Sequence, residues 1–313
     1  MTSMQCIEPD THLSGDFPYH FNQEGLLCHK DTRETFVFRY RRGDVLGLQR
    51  EHQLLGRYIT MYVYSLLEEQ CHLQRLSLSA SQLDPQLKDF VFISPKANES
   101  PGTLAVLIQD RGTVRCGQWS WRMIASKGLE WGSQLSYVRR ALAESWEVLI
   151  MNPNQSSSPE EHVSLAWECV ISRGAAKQVV VVMHGYGGVA FVDLLSRQPQ
   201  DVKGRVHAVA FVDSSHNPWH QLLDTDSRDW LKSKSRKWVL SPKPLNQPVG
   251  SLKAECRQLS AGTQCHEAAP AACVDAIFRF FTKILRNRSP PMPFDIVTRS
   301  RSHGAPRAVN SPG

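Results

Sequence analysis

The sequence lacks the features by which chains cross membranes or enter the secretory route. No stretch approaches the roughly 18 consecutive apolar residues that a transmembrane helix needs. The first residues, Met1 to Cys6, contain neither a basic segment nor an apolar core, so we expect no signal peptide. The chain ends in Val309-Asn-Ser-Pro-Gly313, which does not resemble an endoplasmic-reticulum retention signal. We therefore predict a chain that does not associate with membranes.

Patterns typical of zinc sites and disulfide frameworks are also absent. The chain has eight cysteines but no C-x-x-C pair. Three cysteines directly precede a histidine, namely Cys28, Cys71 and Cys265. Adjacent residues rarely bind one zinc ion together, because structural sites space their ligands by two to four residues. We predict reduced thiols, no metal site and no cofactor.

Basic charge is concentrated in the last third of the chain. The formal net charge is +6, and residues 201–313 contain 17 Lys and Arg against 9 Asp and Glu. The densest segment is Lys232-Ser-Lys-Ser-Arg-Lys237. Such a run suits contact with nucleic acid, an acidic partner or the nuclear import machinery, and it equally suits a solvated surface. It lacks interleaved aromatic residues on which bases could stack.

Apolar runs with strand character alternate with segments of helical spacing along most of the chain. The predicted strands are 19–21, 35–40, 89–94, 104–108, 146–151, 179–183, 206–212, 238–240 and 257–260. The predicted helices are 44–69, 119–124, 135–142, 158–173, 189–195 and 271–286. Alternation of this kind predicts a doubly wound, mostly parallel sheet with helices on both faces. We expect one α/β domain over 17–288, between a flexible tail at 1–16 and a disordered basic tail at 289–313.

The turn after the strand at 179–183 has the form of a nucleophile elbow. The apolar run ends abruptly in His184-Gly-Tyr-Gly-Gly188, and helical spacing follows from Val189. In α/β-hydrolases this strand–turn–helix unit reads G-x-S-x-G, with serine as the nucleophile. Here the central position is Gly185. The elbow residues around it are His184, Tyr186, Gly187 and Gly188.

Two later strand ends hold candidates for the other members of a hydrolase triad, in the order nucleophile, acid and histidine. Asp213 follows the strand at 206–212, and His266 follows the strand at 257–260. In a working enzyme the histidine takes the hydroxyl proton and the aspartate orients the histidine. Because Gly185 has no hydroxyl, we predict vestigial triad positions without catalytic activity.

The loop that should contribute to the oxyanion hole has a second defect. After the strand at 104–108 it reads Gln109-Asp110-Arg111, where hydrolases often have a His-Gly-rich segment. The carboxylate of Asp110 would oppose a developing negative charge unless Arg111 neutralised it.

Less specific interpretations remain open for several of these residues. Asp213 would also suit the N-cap of a following helix. His266 and His216 would suit surface or hydrogen-bonded loop positions, and we expect His184 to be packed and hydrogen-bonded.

A dinucleotide-binding site is a further alternative. Gly185-x-Gly187-x-x-Ala190 matches G-x-G-x-x-G/A between a strand and a helix, and Asp213 lies near the spacing of a ribose-binding acid. Against it, several strands precede this turn, whereas the fingerprint normally follows the first strand of its domain.

Many short motifs in order give the chain a resemblance to the Arb-two domain (Arb2) family, named for an Argonaute-binding protein. The resemblance covers about 17–288. The motifs include Phe17-Pro-Tyr-His-Phe-Asn22, Tyr62-Val-Tyr64, Gly117-Gln-Trp119, Ser158-Pro-Glu-Glu-His162, His184-Gly-Tyr-Gly-Gly188, Asp213-Ser-Ser-His-Asn217, Ser260-Ala-Gly-Thr263 and Phe278-Arg-Phe-Phe281.

The resemblance implies an α/β-hydrolase-like fold and a role in alternative splicing and chromatin through Argonaute-type proteins and a chromatin remodeller. Relatives have serine where this chain has Gly185, and His-Gly in place of Gln109-Asp110, so the chain is similar to a divergent member. We predict a non-catalytic protein-binding scaffold of the nucleus and cytoplasm, in which RNA contact is an open question. The alternatives are a serine-type ester or amide hydrolase with a nonstandard nucleophile and a dinucleotide-binding protein.

Overall fold

Of the ten strands in the described part of the computed structural model, eight form one sheet. The structure describes residues 17–38, 45–78, 89–156, 158–250 and 256–286. The strands are β1 (Tyr19–Phe21), β2 (Leu27–His29), β3 (Gln74–Ser77), β4 (Phe90–Ile93), β5 (Thr103–Ile108), β6 (Glu147–Ile150), β7 (Gln178–His184), β8 (Val206–Val212), β9 (Ser235–Val239) and β10 (Arg257–Ser260). The helices are α1 (Val45–Glu69), α2 (Trp121–Lys127), α3 (Leu129–Gly132), α4 (Leu135–Ala143), α5 (Pro159–Ala166), α6 (Gly187–Arg197), α7 (Pro199–Arg205), α8 (Thr225–Lys234) and α9 (Ala269–Arg286).

The strand order of the large sheet is β10-β9-β8-β7-β5-β6-β4-β3. The six strands from β10 to β6 are parallel, and β4 and β3 complete one edge in antiparallel orientation. The predicted mostly parallel α/β sheet is confirmed. Because the carboxyl ends of parallel strands share one edge, the loops after β5, β7, β8 and β10 lie where sites form in such sheets.

Helices cover both faces of the sheet, as the side-chain alternation of β7 illustrates. Val180 and Val182 belong to one buried core, which also contains residues of α1, α4 and α9. Val179, Val181 and Met183 belong to a second core, with residues of α5, α6 and α8. Since successive side chains of a strand point to opposite faces, the two cores lie on opposite sides of the sheet. No helix in the described ranges is both long and apolar enough to cross a membrane.

Two strand predictions need correction. The partner of β1 in its hairpin is Leu27–His29. In the predicted strand at 35–40, the described residues 35–38 contribute an isolated bridge from Thr35 to Cys28, and 39–40 lie outside the described residues. Strand β3 was not predicted, because its polar, short sequence has no clear apolar alternation. The predicted tails at 1–16 and 289–313 lie outside the described residues.

The basic segment Lys232–Lys237 does not form a continuous surface. Lys232 and Lys234 end α8, and the chain then enters β9 inside the sheet. Lys237 is only 9% exposed, and the guanidinium of Arg236 stacks on Phe280 at 4.3 Å. The prediction of a solvated or nucleic-acid-binding run is therefore wrong for the second half of this segment. Its position in the sheet depends on packing partners that the charge pattern does not reveal.

Helix α5 begins as its sequence predicts, and its cap gives a test of local stability. The Ser158 hydroxyl accepts a hydrogen bond from the Glu161 N–H at 3.2 Å. Ser158→Ala should lower the free energy of unfolding by about 1 kcal/mol, because one N–H at the helix start loses its partner. Ser126→Ala, an exposed helical control, should change it by less than about 0.5 kcal/mol in the same urea titration. Equal effects would contradict the assigned cap.

Candidate functional site

The predicted elbow joins β7 to α6 at the carboxyl edge of the sheet. Gly185 has φ +52°, in the left-handed region that favours glycine. A Cβ atom at this position would lie 2.2 Å from both Cγ and Oδ1 of Asp110. Glycine is therefore required here for space as well as for backbone conformation. The carboxylate of Asp110 fills the volume into which a nucleophilic side chain would project.

The next two glycines of the turn allow close packing of α6 against neighbouring strands. A Cβ on Gly187 would lie 2.7 Å from the carbonyl oxygen of Ile108. A Cβ on Gly188 would lie 2.0 Å from Oγ of Ser214. Contacts within the protein thus account for the glycines of the G-x-G-x-x-A pattern, which gives the dinucleotide hypothesis no support.

Asp213 and His266 meet, although they are far apart in sequence. His266 Nδ1 lies 2.6 Å from Asp213 Oδ2. Asp213 has φ +40° directly after β8, and its N–H donates to the carbonyl oxygen of Trp238 at 2.7 Å. The N-cap interpretation of Asp213 is wrong, because Asp224 caps the following helix by accepting from the Ser227 N–H. The structure thus brings Gly185, Asp213 and His266 together in the arrangement of a hydrolase triad without its nucleophile.

Asp110 occupies the centre of this arrangement. Its Oδ2 atom lies 2.9 Å from His266 Nε2, the atom that would face the hydroxyl in an enzyme. Its Oδ1 atom accepts from the Tyr186 N–H at 2.6 Å and from the Arg111 N–H at 2.7 Å. The N–H of the residue after the nucleophile is the usual oxyanion donor of this fold. The Asp110 carboxylate therefore contacts the histidine base, accepts from an oxyanion donor and fills the space of the nucleophile.

The sequence indicated Asp110 as a defect of the oxyanion loop but did not indicate its contact with His266. The Arg111 guanidinium does not neutralise the carboxylate as considered above, because it stacks on the Tyr186 ring at 5.2 Å. The signal that could have indicated this arrangement was glycine at 185 together with a carboxylate at 110. The absence of a side chain at 185 leaves the space that the carboxylate fills.

Two carboxylates determine the charge of His266. Hydrogen bonds to Asp110 and Asp213 raise the pKa of His266 to about 10, against the smaller opposing effect of burial. Burial alone would raise the pKa of Asp110, but its hydrogen bonds with His266 and the Tyr186 N–H outweigh burial and lower it. At neutral pH the pair is an imidazolium and a carboxylate. A doubly protonated imidazole has no lone pair and cannot act as a general base.

Two further histidines near the turn are buried. His184 stacks on the His266 ring with centroids 4.2 Å apart, and its Nε2 lies 3.1 Å from the His266 carbonyl oxygen. Burial and the adjacent positive charge of His266 lower the pKa of His184 to about 4. His216 packs on Phe211 with centroids 3.8 Å apart and lies 2.8 Å from Ser214 Oγ. The packed, hydrogen-bonded position predicted for His184 is observed. Of the two options considered for His216, the structure has the hydrogen-bonded loop position.

The side chain of Tyr186 connects the elbow to the start of α5. Its hydroxyl donates to Glu160 Oε1 at 2.6 Å, and Ser158 donates to Oε2 of the same carboxylate at 3.0 Å. The hydrogen bond to Glu160 raises the pKa of Tyr186. These contacts fix the position of Tyr186, whose N–H donates to Asp110.

In the described ranges, Asp110, His184 and His266 form the one group of three or more residues whose potential metal-binding atoms lie within 4.8 Å of one another. A cation bound by Asp110 and His266 would have to replace the proton shared between Oδ2 and Nε2. The short contacts of His266 with two carboxylates fit a protonated imidazole, which repels cations. We assign this group to hydrogen bonding.

The parallel sheet, the elbow and the paired Asp213 and His266 place the chain in the α/β-hydrolase fold class. The chain belongs to the Arb2 domain family, since a model of the Arb2 domain matches residues 11–157 and 154–245. It is 33% identical to "Cotranscriptional regulator ARB2A" of Homo sapiens, over 93% of this chain and 85% of that protein. It is 32% identical to "Putative protein ARB2BP" of Homo sapiens, over 95% and 96% of the two chains. Among solved structures, "A histone deacetylase from Saccharomyces cerevisiae" shares the fold with a TM-score of 0.52 at 17% identity, over 75% of this chain and 98% of that one.

Proposed function

We propose that this chain is a non-catalytic hydrolase-fold protein that acts in the nucleus as a protein-binding cotranscriptional regulator. The observation that carries the non-catalytic part is the Asp110 carboxylate, bound by His266 Nε2 and the Tyr186 N–H in the space of the absent nucleophile.

Acyl transfer in this fold requires a nucleophile, a neutral histidine and a free oxyanion donor. Gly185 provides no nucleophile. His266 is charged at neutral pH, and the Tyr186 N–H already has an anionic acceptor. An ester carbonyl approaching the elbow would meet the negative charge of Asp110, which opposes the developing oxyanion. These contacts also disfavour a hydrolase with a nonstandard nucleophile, because the Asp110 oxygens are engaged on both sides.

The regulatory part of the proposal rests on relatives that are named cotranscriptional regulators and that this chain matches over most of their length. By that resemblance, the partners are Argonaute-type proteins and chromatin or splicing factors. A role as a scaffold is compatible with a site in which His266 is bound by the carboxylates of Asp110 and Asp213.

The purified protein should not hydrolyse short acyl esters above the rate of its His266→Ala variant, and it should not label with a fluorophosphonate. The physical reason is the absence of both a nucleophile and a basic imidazole. Stopped assays with p-nitrophenyl acetate and gel fluorescence measure the two results. Turnover by the unmodified chain that disappears in His266→Ala would contradict the proposal.

The scaffold part has its own test. The tagged full chain should recover an Argonaute-type protein or a splicing factor from nuclear extract, and Gly204→Leu, a surface control in α7, should recover it equally. Recovery of chaperones alone from both proteins would count against a scaffold role.

A further inference from the structure

A groove that shares no residue with the site above lies between α1, the loop after β5 and the start of α2. Its volume is about 390 Å³. This is at the lower end of the range for small-ligand sites. Arg57 and His52 line it from α1, Arg115 from the loop, and Trp121 from α2.

The described residues that line the groove include basic side chains and no carboxylate. Arg57 and Arg115 contribute guanidinium groups, and His52 contributes an imidazole. Arg115 is held in place, because its Nη1 donates to the carbonyl oxygens of Gly112 at 3.4 Å and Val114 at 3.3 Å. A fixed guanidinium favours binding of an anion such as phosphate, since little conformational freedom is lost on contact.

The groove also contains an aromatic ring of fixed orientation. The indole Nε1 of Trp121 donates to Thr113 Oγ1 at 3.1 Å. The rings of Phe38 and His52 pack against Trp121, each with centroids 5.9 Å away. A ring held from several sides, in a groove rich in arginine, suits stacking of a planar heterocycle.

Gly56 gives an independent indication that the groove is kept open. It lies within the 25-residue helix α1, where glycine is unfavourable relative to alanine. A Cβ at Gly56 would meet no atom within 4 Å, so neither packing nor backbone conformation requires glycine. Gly56 lines the groove. A side chain here would project into the open space and reduce it.

We propose that this groove binds a nucleotide unit, with the base beside Trp121 and the phosphate at Arg57 and Arg115. An acidic peptide would satisfy the arginines but has no heterocycle to contact the indole ring of Trp121. The unit is either a free nucleotide or one residue of a single-stranded nucleic acid, because both present the same base and phosphate.

The test measures binding of a fluorescent eight-nucleotide single-stranded RNA, and of AMP, to the full chain. Gly56→Leu should weaken binding about tenfold or more, because the leucine side chain fills the groove without changing any charge. The matched control Gly204→Leu adds the same side chain where a Cβ also meets nothing within 4 Å, and it should bind as the unmodified chain does. Arg57→Gln should weaken RNA binding and reduce the slope of log Kd against log salt by about 0.7.

Thermal unfolding checks that Gly56→Leu remains folded, and leucine in mid-helix should not lower its Tm. Binding of AMP that is lost in Gly56→Leu would assign the groove to free nucleotides, whereas loss seen with RNA alone would assign it to nucleic acid. Unchanged RNA and AMP binding in Gly56→Leu would overturn the proposal. Displacement of the RNA by an oligo-glutamate peptide at equal concentration would also overturn it, in favour of an acidic peptide.

Discussion

Gly185→Ser alone should leave the chain unreactive towards a fluorophosphonate, whereas Gly185→Ser combined with Asp110→Gly should react. In the single variant the new Cβ would lie 2.2 Å from the Asp110 carboxyl group, and φ of +52° would strain any side chain. We expect this variant to lose about 2–4 kcal/mol of unfolding free energy. Its hydroxyl would also face an imidazolium that cannot accept a proton.

Asp110→Gly removes the carboxylate and with it all of these obstacles to the reaction. The space beside residue 185 opens, and the Tyr186 N–H becomes available. The pKa of His266 falls, because the hydrogen bond to Asp110 that raises it most is gone. The serine oxygen can then attack phosphorus, its proton passes to His266 Nε2, and fluoride leaves. We expect labelling at least about 100-fold faster than in Gly185→Ser, the usual contribution of a general base.

Labelling rates are followed by gel fluorescence and intact mass, with circular dichroism to confirm folding. Adding His266→Ala to the double variant should abolish the gain, which separates triad chemistry from a merely exposed serine. Equal labelling of the single and double variants would show that Asp110 does not block the site. A folded double variant that stays unlabelled would show that Asp213 and His266 no longer support catalysis.

The second large effect is a pH-dependent stability contribution from Asp110. In the folded chain the pKa of His266 is raised from 6.5 to about 10, mainly by its hydrogen bond to Asp110. The stabilisation from the protonated imidazole is therefore fully present below pH 6.5 and is lost as pH rises through 10. The pKa of Asp110 is lowered from 3.8, so its own contribution is present above pH 3.8 and is lost below it. The difference in unfolding free energy between the unmodified chain and Asp110→Asn should therefore be largest between about pH 4 and 6.5.

We expect this difference to reach about 1–2 kcal/mol, after discounting for the solvent screening of a partly exposed pair, and to fall towards zero near pH 10. The His266 side chain is 37% exposed, which is the reason for the discount. Urea titrations at stepped pH measure the difference, and taking a difference removes the contribution of His216, whose pKa shift comes from burial and Lys237. Asp193→Asn is the matched control, because Asp193 forms an ion pair with Arg197 and not with a histidine. A difference between the unmodified chain and Asp110→Asn that is as independent of pH as that of the control would disprove the ion pair.

The parts of the fold that followed from the sequence are those with local, periodic signals. The run at β7, the glycine-rich turn and the helical spacing after it predict the elbow from neighbouring residues alone. The order of Asp213 and His266 at strand ends predicts their proximity, because the ends of parallel strands share an edge. The motifs of the Arb2 family are local signals as well, and they extend over most of the chain, so they indicate the family.

What the sequence could not provide depends on contacts between distant residues. Asp110 lies 76 positions from Tyr186 and 156 from His266, and no periodicity connects them. Its role as an internal ligand follows only from the three-dimensional arrangement. The burial of Lys237 in β9 was missed for a similar reason, since a run of basic residues resembles a surface until its neighbours are known. The arrangement of Gly56 beside Arg115 and Trp121 likewise requires the packing of α1 on the loop after β5.

The mutual fit of Gly185 and Asp110 has a consequence for how the chain can change over generations. While the carboxylate is present, position 185 accepts glycine alone, so a mutation to serine arrives in a strained and inactive protein. A change at Asp110 arriving first removes one of the two anions that pair with His266 and restores no reactivity. Under the proposed function, either single substitution towards a hydrolase triad should therefore give a less stable chain without acyl-transfer activity. Under the proposed function, Gly185 and Asp110 together therefore oppose the gain of acyl chemistry by one substitution at a time.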